Sequence, residues 1–394
     1  MKKLIVLAVI GLLFIQPNAQ AVPKKIPVNS LKLLTTIGLP SEVSGVVVSG
    51  KNIIVFGTQN SKAYAKALNS TGTELWKLQL DQSQASIATA AVVDSVGDVW
   101  IAGVTPLAAT TTTAPPTAIN PDNAAMPPTS FIGDLKALTV WKVSSTGVLV
   151  ATYTSPMSNV IFPTSIALDD SGIAIVGSIA DEKIIAGFIV FMSSSGLFSK
   201  VLQIGSASTT IESVTRNSDK TFTLVGSSSE TIAGKRLAGL TDGVIVKVTK
   251  SLKITSVVRS SVNKGKRIWN STSASLLLGG EVVVGNKSEV AVTKFSSRYV
   301  PSWTFRFAGT GPALTTGSTQ LLFLSSGAIP ALAWNPKVPT ALLITFNSKG
   351  AISGADSAPV GQRLLIGSLD SKDFGPLVVT SSGDIVSIFV RNTR

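Results

Sequence analysis

Residues 65–72 read Ala65-Lys66-Ala67-Leu68-Asn69-Ser70-Thr71-Gly72, an apolar strand that runs into a polar turn ending in glycine. The same pattern returns along the chain, in three further clear copies and two weaker ones: Val140–Gly147, Val190–Gly196, Leu343–Gly350, Val246–Ser251 and Val292–Ser297. A strand and turn that recur through a whole chain indicate one small sheet built repeatedly. The repeat therefore predicts the architecture, and it says little about biochemical activity.

The spacing of the copies gives the size of the repeated unit. The apolar residues just before each turn lie 75, 49, 56, 47 and 51 residues apart, at Leu68, Val143, Met192, Val248, Phe295 and Phe346. Four of these spacings are close to the roughly 40–50 residues of a four-stranded propeller blade. The spacing of 75 indicates an insertion at about 106–136, a Pro/Thr-rich loop between the second and third strands of blade two.

A second pattern precedes each copy: an apolar strand, a turn of Gly, Ser or Asp, and another strand that ends near glycine. Seven stretches show it, namely 46–57, 91–103, 166–177, 214–226, 267–279, 320–334 and 377–389. Such turns join neighbouring antiparallel strands, because Gly, Asn and Asp accept the positive φ of tight hairpins. We therefore predict an all-β fold, a seven-bladed β-propeller of four-stranded antiparallel blades, in one domain over residues 22–394. Trp76 and Trp303, at equivalent fourth-strand positions, are expected to form apolar cover between adjacent blades.

The last unit predicts how the ring closes. Residues 377–389 read as its first and second strands, and no third or fourth strand follows before Arg394. Leu31–Ile37 reads as a strand without a blade of its own. We expect it to complete the seventh blade, which removes a free sheet edge. Lys24–Asn29 is expected to add a short further strand.

The N-terminus has the pattern of a secretory signal. Lys2 and Lys3 precede an apolar run from Leu4 to Ile15, and Ala19-Gln20-Ala21 follows. The run is too short to span a bilayer. We therefore expect a signal peptide over residues 1–21, no membrane span after its cleavage, and a secreted or cell-envelope location. The chain has no cysteine, so an exported form cannot rely on disulfides.

Two segments carry a resemblance to a known repeat family. Residues 65–76, which end in Thr-Glu-Leu-Trp, and Val93–Thr105 resemble the SBBP-type seven-bladed β-propeller repeats of exported bacterial proteins. Asp242–Val248 resembles the opening of the same unit, and the likeness extends over most of residues 40–394. The copies depart from the family at Asp98 and Ile173, where the family has Asn after the turn glycine. The resemblance implies a fold and an extracytoplasmic setting, and it carries over no catalytic residue.

The composition excludes several kinds of chemistry. The chain has no histidine and no cysteine, which excludes Ser-His-Asp and Cys-His catalysis, histidine-ligated zinc and histidine-ligated haem. We expect no cofactor, no metal site and no catalytic residue.

The acidic residues recur in the turns between first and second strands, at Asp94, Asp98, Asp169, Asp170 and Asp219. Asp in such turns is a hydrogen-bonding turn former. Asp169 and Asp170 are adjacent, but they lack the spaced carboxylates of a calcium loop. These aspartates are therefore predicted to be structural.

The charge balance fits either simple solubility or an anionic partner. The formal net charge is +13, which suggests attraction to acidic glycans or envelope surfaces, with simple solubility as the alternative. Two long connections, expected on one face of the propeller, hold the candidate anion-binding residues: Lys235, Arg236, Lys264, Lys266 and Arg267. Long loops on a rigid scaffold are where recognition usually resides. Lys142, Lys247 and Lys294 share one third-strand position, and we expect them to face solvent. Nucleic acid is not an expected partner, since no basic cluster is interleaved with aromatics.

Three functions remain open at this stage. The first is an exported, non-catalytic propeller that binds an anionic polysaccharide, an envelope surface or another protein. The second is a glycan-acting hydrolase or lyase with two carboxylates at the channel mouth, for which Asp81, Asp134, Glu230 and Asp356 are candidates. The third, an assembly role within an envelope complex, cannot be separated from the first by sequence.

Overall fold

A computed structural model describes residues 25–107 and 135–391. These residues form strands and connecting loops, and the strands are β1 Val28–Ser30, β2 Lys32–Gly38, β3 Val43–Ser49, β4 Asn52–Gln59, β5 Lys62–Leu68, β6 Glu74–Gln79, β7 Ile87–Val93, β8 Val99–Thr105, β9 Ala137–Val143, β10 Leu149–Pro156, β11 Val160–Asp169, β12 Gly172–Ala180, β13 Ile185–Ser193, β14 Leu202–Ile204, β15 Thr209–Arg216, β16 Phe222–Ser228, β17 Asp242–Val248, β18 Ile254–Ser260, β19 Gly265–Thr272, β20 Leu277–Val284, β21 Lys287–Phe295, β22 Pro301–Thr316, β23 Gln320–Ser325, β24 Thr340–Phe346, β25 Ile352–Ser357, β26 Leu364–Ser371, β27 Gly375–Ser381 and β28 Val386–Val390. Within the described ranges no helix has the length and apolar character needed to cross a membrane. The predicted signal peptide and nearly all of the predicted insertion lie outside the described residues.

The strands form five four-stranded sheets and one eight-stranded sheet. In chain order we call the first four blades 1 to 4: β3–β6, β7–β10, β11–β14 and β15–β18. The eight-stranded sheet holds β19 to β25 with β1 at its edge, and the closing blade holds β26, β27, β28 and β2. Neighbouring strands within each four-stranded sheet are antiparallel. The chain is therefore an all-β propeller of four-stranded antiparallel blades, as the repeat predicted.

One long strand, β22, creates the eight-stranded sheet. Its first part, from Pro301 to Ala308, pairs with β21. Its second part, from Gly309 to Thr316, pairs with β23, with a register shift between Thr310 and Leu314. The chain thus passes from an outer strand to an inner strand without a loop.

The N-terminal segment closes the molecule. Lys32–Gly38 pairs antiparallel with β28, which confirms the predicted role of residues 31–37. The predicted short strand before it is also present as Val28–Ser30, but it pairs with β25 of the eight-stranded sheet. Residues 28–38 therefore join two neighbouring sheets.

The strand assignment within the closing blade was wrong by one place. Residues 377–389 form its second and third strands, because β26 already occupies the innermost position. Every residue of Leu364–Ser371 is at least partly exposed, so the strand lacks the fully apolar run that marks the other copies.

The innermost strands share a register shift that turns one residue out of the pairing pattern. The shifted residues include Ser44, Thr89, Thr164 and Glu212. Such bulges bend a strand and re-aim a side chain. Two of these side chains bond to the next sheet: the Ser44 hydroxyl donates to the Ala88 carbonyl at 2.6 Å, and the Thr164 hydroxyl donates to the Ile211 carbonyl at 2.7 Å. Side-chain hydrogen bonds thus tie adjacent blades around the centre.

The apolar core lies between sheets rather than within one. Phe191 of blade 3 packs against Phe222 of blade 4, with their ring centroids 5.0 Å apart. Another cluster joins Ile37 and Ile388 of the closing blade to Val46 of blade 1. Burying each sheet face against a neighbour lets one domain grow beyond the size of a single compact core.

Candidate functional site

The candidate basic residues lie on two loops. Lys235 and Arg236 are exposed on the loop between β16 and β17 of blade 4. Lys264 is exposed on the loop between β18 and β19, and Lys266 is exposed near the start of β19. No salt bridge in the described part of the chain involves these four side chains. We call Lys235, Arg236, Lys264 and Lys266 the basic edge.

The two loops of the basic edge are bonded to each other. The Leu240 N–H donates to the Gly265 carbonyl at 2.9 Å, and the Arg267 N–H donates to the Thr241 carbonyl at 2.8 Å. Gly239 allows this approach, since a Cβ there would lie 2.8 Å from the Val262 carbonyl oxygen. These contacts bring the two connections to one edge of the molecule, as the propeller geometry predicted.

A buried ion pair holds the first of these loops in place. The Arg259 guanidinium lies 3.1 Å from the Asp242 carboxylate, and their side chains are 8% and 0% exposed. Arg259 also donates through Nε to the Lys235 carbonyl at 3.2 Å and through Nη2 to the Glu230 carbonyl. Burial by itself would raise the pKa of Asp242, but hydrogen bonds led by the Ala238 N–H lower the pKa overall. Asp242 and Arg259 are therefore a charged clamp beneath the basic edge.

Arg267 does not belong to the exposed surface where the sequence analysis put it. It is only 5% exposed, because side chains alternate along β19 and Lys266 takes the outward position. Its guanidinium carbon lies 3.7 Å from the centroid of the Trp269 ring. Both side chains pack on Gly243, where a Cβ would lie 2.6 Å from the Trp269 ring. Burial, with Arg306 as a second positive charge nearby, lowers the pKa of Arg267 to about 9.

A pocket of about 280 Å³ opens beside Arg267, between β18 of blade 4 and the first strands of the eight-stranded sheet. We call it the arginine pocket. Its lining combines three arginines, four hydroxyl side chains and an apolar remainder: Arg259, Arg267, Arg306, Ser260, Ser261, Thr293, Thr304, Val262, Trp269, Phe295 and Pro301. Of these residues, the sequence analysis proposed only Arg267 as a binding candidate, because the others come from several strands.

The carboxylates proposed for an enzyme lie on different sheets and are engaged in structural bonds. Asp81 accepts from the Ser83 and Gln84 N–H groups in the connection after blade 1. Asp356 of β25 is 1% exposed and pairs with Arg391, whose Nη2 lies 2.5 Å from its carboxylate. Asp134 lies outside the described residues.

Glu230 has the largest set of hydrogen bonds among these acids. Its carboxylate accepts from the N–H groups of residues 206–208 and from the hydroxyls of Ser206 and Thr209. Burial would raise the pKa of Glu230, but these bonds, led by the Ser208 N–H, lower the pKa to about 2. A carboxylate of this kind stays ionised near neutral pH and is unsuited to donate a proton as a general acid.

One carboxylate faces the central channel and escaped the sequence analysis. Glu212 stands at the bulge of β15 and lines a space of about 400 Å³ together with Ser44, Thr89 and Thr164. Burial raises its pKa, opposed by a hydrogen bond from Thr210. The signal in the sequence was a lone acid within an inner strand of mixed polar and apolar residues, and alternation alone does not say which face it takes. Of the described residues that line this space, Glu212 alone is acidic, whereas glycoside hydrolysis by paired carboxyls needs two.

The turn aspartates are structural, as the sequence predicted. Asp94 accepts from the Val96 and Asp98 N–H groups through Oδ1 and from the Trp100 indole through Oδ2. Lys142 and Lys247 are the partly exposed residues of otherwise buried strands, with side chains that are 22% and 23% exposed. Each pairs with an aspartate of the neighbouring turn, Asp98 at 3.0 Å and Asp219 at 2.7 Å, respectively.

Lys294, at the same third-strand position, is half-buried and donates to the Ser275 carbonyl in the corresponding turn. All three lysines therefore tie a third strand to the adjacent turn.

A solved structure supports the propeller fold. The chain is similar to the WD40 domain of Toxoplasma gondii coronin, with a TM-score of 0.52 and 9% identity, over 94% of this chain and 90% of that one. It is also similar to an S511A mutant of puromycin hydrolase complexed with PGG, with a TM-score of 0.49 and 9% identity, over 90% of this chain and 53% of that one. No protein-family model and no curated protein sequence matches the chain. At this identity the likeness to coronin bears on the fold alone.

Proposed function

We propose that this chain is an exported, non-catalytic β-propeller of seven blades that binds an anionic polymer through its basic edge. The bonding between the two basic loops carries the proposal. Two connections from adjoining sheets present four exposed cations along one edge, and the backbone bonds at Leu240 and Arg267 hold them there. Clustered like charge attracts polyanions through the summed field of the surface.

The count of seven rests on the division of the eight-stranded sheet. At the register shift of β22 it separates into β19 to the first half of β22, and the second half of β22 to β25. Each part is then one four-stranded blade, with β1 as an extra edge strand. The spacings between copies in the sequence support the same division, as does the resemblance to SBBP-type repeats. The predicted signal over residues 1–21 supports export.

The absence of catalysis in this proposal rests on the state of the acids. Asp81, Glu230 and Asp356 lie on separate elements and hold loops or strands together. A binding role needs no carboxylate pair, and the basic edge lies on loops, where recognition usually resides on a rigid scaffold.

The test is retention on a column of an acidic polysaccharide such as polygalacturonate, with elution by a salt gradient. We expect the chain from residue 22 to be retained, and the variant with Ser at Lys235, Arg236, Lys264 and Lys266 to elute at clearly lower salt, because salt screens exposed charges. The matched control replaces four exposed lysines in other turns and connections by Ser, at Lys51, Lys183, Lys349 and Lys372. This control has the same net charge as the basic-edge variant. If both variants elute together, the basic edge is not the binding surface.

A further inference from the structure

The arginine pocket contains two buried donors without an acceptor. The Arg267 Nη1 and the Trp269 Nε1 each lack a hydrogen-bond partner, and both side chains are buried, at 5% and 1% exposure. Buried polar groups are nearly always hydrogen-bonded, and an unpaired one carries a desolvation penalty. Two such donors on neighbouring inward positions of one strand, both lining the same pocket, point to an acceptor supplied from outside the chain.

The charge balance of the pocket points to an anion. Arg259 is already neutralised by Asp242 at 3.1 Å, and Arg306 lies 3.8 Å from Glu289 at the rim. Arg267 forms no salt bridge with any carboxylate of the described residues. Its charge is instead opposed by burial and by Arg306. An anion bound against Arg267 would offset both the cost of burying its charge and the repulsion from Arg306.

The shape and the remaining lining define the ligand further. A guanidinium presents a planar fork of donors that matches a carboxylate with two parallel bonds. Ser260, Ser261 and the bonded pair Thr293 and Thr304, whose hydroxyl oxygens lie 3.0 Å apart, add groups that can bond to hydroxyls. Val262 and Pro301, the partly or fully exposed apolar side chains of the lining, supply a surface for C–H groups. A volume of about 280 Å³ suits one small ring, near the lower end of small-molecule sites.

We propose that the arginine pocket binds a single carboxylate-bearing sugar, a uronate residue, with its carboxylate on Arg267 and Trp269. This inference rests on the proposed function, since it names the group that would be recognised in the anionic polymer. Lys264 lies on the connection that holds Ser261 and Val262, and Lys266 follows it at the start of β19, so both would meet neighbouring charges of a chain that leaves the pocket.

The experiment is calorimetric titration of the chain from residue 22 with free glucuronate, glucose and inorganic sulfate. We expect glucuronate to bind at least tenfold more tightly than either glucose or sulfate. Arg267→Met should weaken glucuronate binding by more than tenfold. Trp269→Phe, which keeps a ring and removes the N–H, should weaken it severalfold. Arg298→Gln, at an exposed arginine in a turn of the eight-stranded sheet, is the control and should leave it unchanged.

Thermal unfolding without ligand separates a binding role from a structural one. Arg267→Met removes a buried, unpaired charge, so its unfolding temperature should equal or exceed that of the unsubstituted chain. A clear drop in that temperature, equal binding of glucuronate by the variant, or no binding by the unsubstituted chain would each overturn the proposal. Equal affinity for sulfate would overturn the assignment of a carboxylate.

The two proposals can fail separately. The variant with Ser at the four basic-edge residues retains Arg267 and Trp269, so free glucuronate should bind to it with unchanged affinity. If polymer retention is independent of the basic edge while glucuronate still binds, the proposed function fails and the pocket stands. If the polymer is retained through the basic edge and glucuronate does not bind, the pocket fails alone.

Discussion

At the residue scale, one position in the turn that joins a third strand to a fourth strand sets a contact with the preceding four strands of the ring. Gly147 occupies it in blade 2 with φ of +84°, and the Trp76 ring of blade 1 packs directly on it. Tyr153 packs on Gly196 and Trp303 packs on Gly350 in the same way. This confirms the predicted role of Trp76 as cover between adjacent blades, and Trp303 covers the corresponding turn within the eight-stranded sheet.

In two copies of this turn another residue stands at the position of the glycine, and its side chain makes the contact. Tyr299 adopts φ of +58° at this position in the eight-stranded sheet. Its hydroxyl lies 2.7 Å from the Thr223 hydroxyl of blade 4. Leu252 of blade 4, with φ of +62°, packs on the core shared with blade 3. This turn therefore contacts the preceding strands of the ring, through either its glycine or the side chain that stands in the place of the glycine.

A substitution at Gly147 tests this contact. Gly147→Ala should lower the free energy of unfolding by about 2–4 kcal/mol, since it adds left-handed strain to a clash with the Trp76 ring 2.5 Å from the new Cβ. Gly50→Ala is the control, because Gly50 also has positive φ, +56°, but nothing lies within 4 Å of its Cβ position. It should lose only about 1–2 kcal/mol. Urea unfolding of both variants measures the difference, and equal losses would show that the Trp76 contact contributes little.

At the scale of elements, loops are held by charged side chains that accept many hydrogen bonds. Glu230 follows β16 and binds the connection between β14 and β15, whose N–H groups at residues 206–208 all point to its carboxylate. Asp169 at the end of β11 pairs with Arg216 at the end of β15. In both cases, one carboxylate fixes the relative position of two elements that are distant in sequence.

The hydrogen bonds that the Glu230 carboxylate accepts predict that stability falls in acid. The pKa of Glu230 is about 2 in the folded chain, below its ordinary value of 4.5. Its contribution is therefore fully present above pH 4.5 and is lost as the pH falls toward 2. Glu230→Gln should lower the free energy of unfolding by about 1–3 kcal/mol at pH 7. It should also lose less further stability than the unsubstituted chain between pH 4.5 and pH 2.

Urea unfolding at several pH values measures this effect. Glu182→Gln is the control, since Glu182 is exposed and no hydrogen bond to its carboxylate is found in the described structure. If the free energy of unfolding changes with pH in the same way for the unsubstituted chain and for the Glu230→Gln variant, the stabilising role of the ionised Glu230 is wrong.

At the scale of the whole molecule, the segment 28–38 joins the two ends of the chain. Its first part pairs with β25 and its second part pairs with β28. The Arg391 and Asp356 side chains add an ion pair between the closing blade and the eight-stranded sheet. Thr35 of β2 also packs on the turn glycine Gly72 of blade 1. The closing blade is thereby attached to both of its neighbours.

Substitution within β2 tests the closure. Ile37 is 2% exposed in the core between the closing blade and blade 1, so Ile37→Asp should lower the free energy of unfolding by about 3–5 kcal/mol. Thr36→Asp adds the same charge at an exposed neighbour and should change it by under about 1 kcal/mol. Thermal unfolding compares the two.

A truncated chain gives a second test of the closure. A chain that begins at residue 39 leaves the β28 edge unpaired and should associate with itself. Addition of a peptide of residues 25–38 should restore a single species on size-exclusion chromatography. If the truncated chain alone is as stable and as dispersed as the full chain, the closing role of β2 is wrong.

The sequence by itself determined the all-β propeller, the pairing of residues 31–37 with the last sheet, and the structural role of the turn aspartates. These features follow from local rules: period-two alternation, turn residues that accept positive φ, and the spacing of repeated strands. The tertiary structure decided that Arg267 is buried on Trp269, that Lys142 and Lys247 are paired, and that Glu212 faces the channel. The pattern of a strand shows that its two faces differ. Which face packs on a neighbouring sheet depends on residues far away in the chain, and so does the presence of an acceptor for a buried donor.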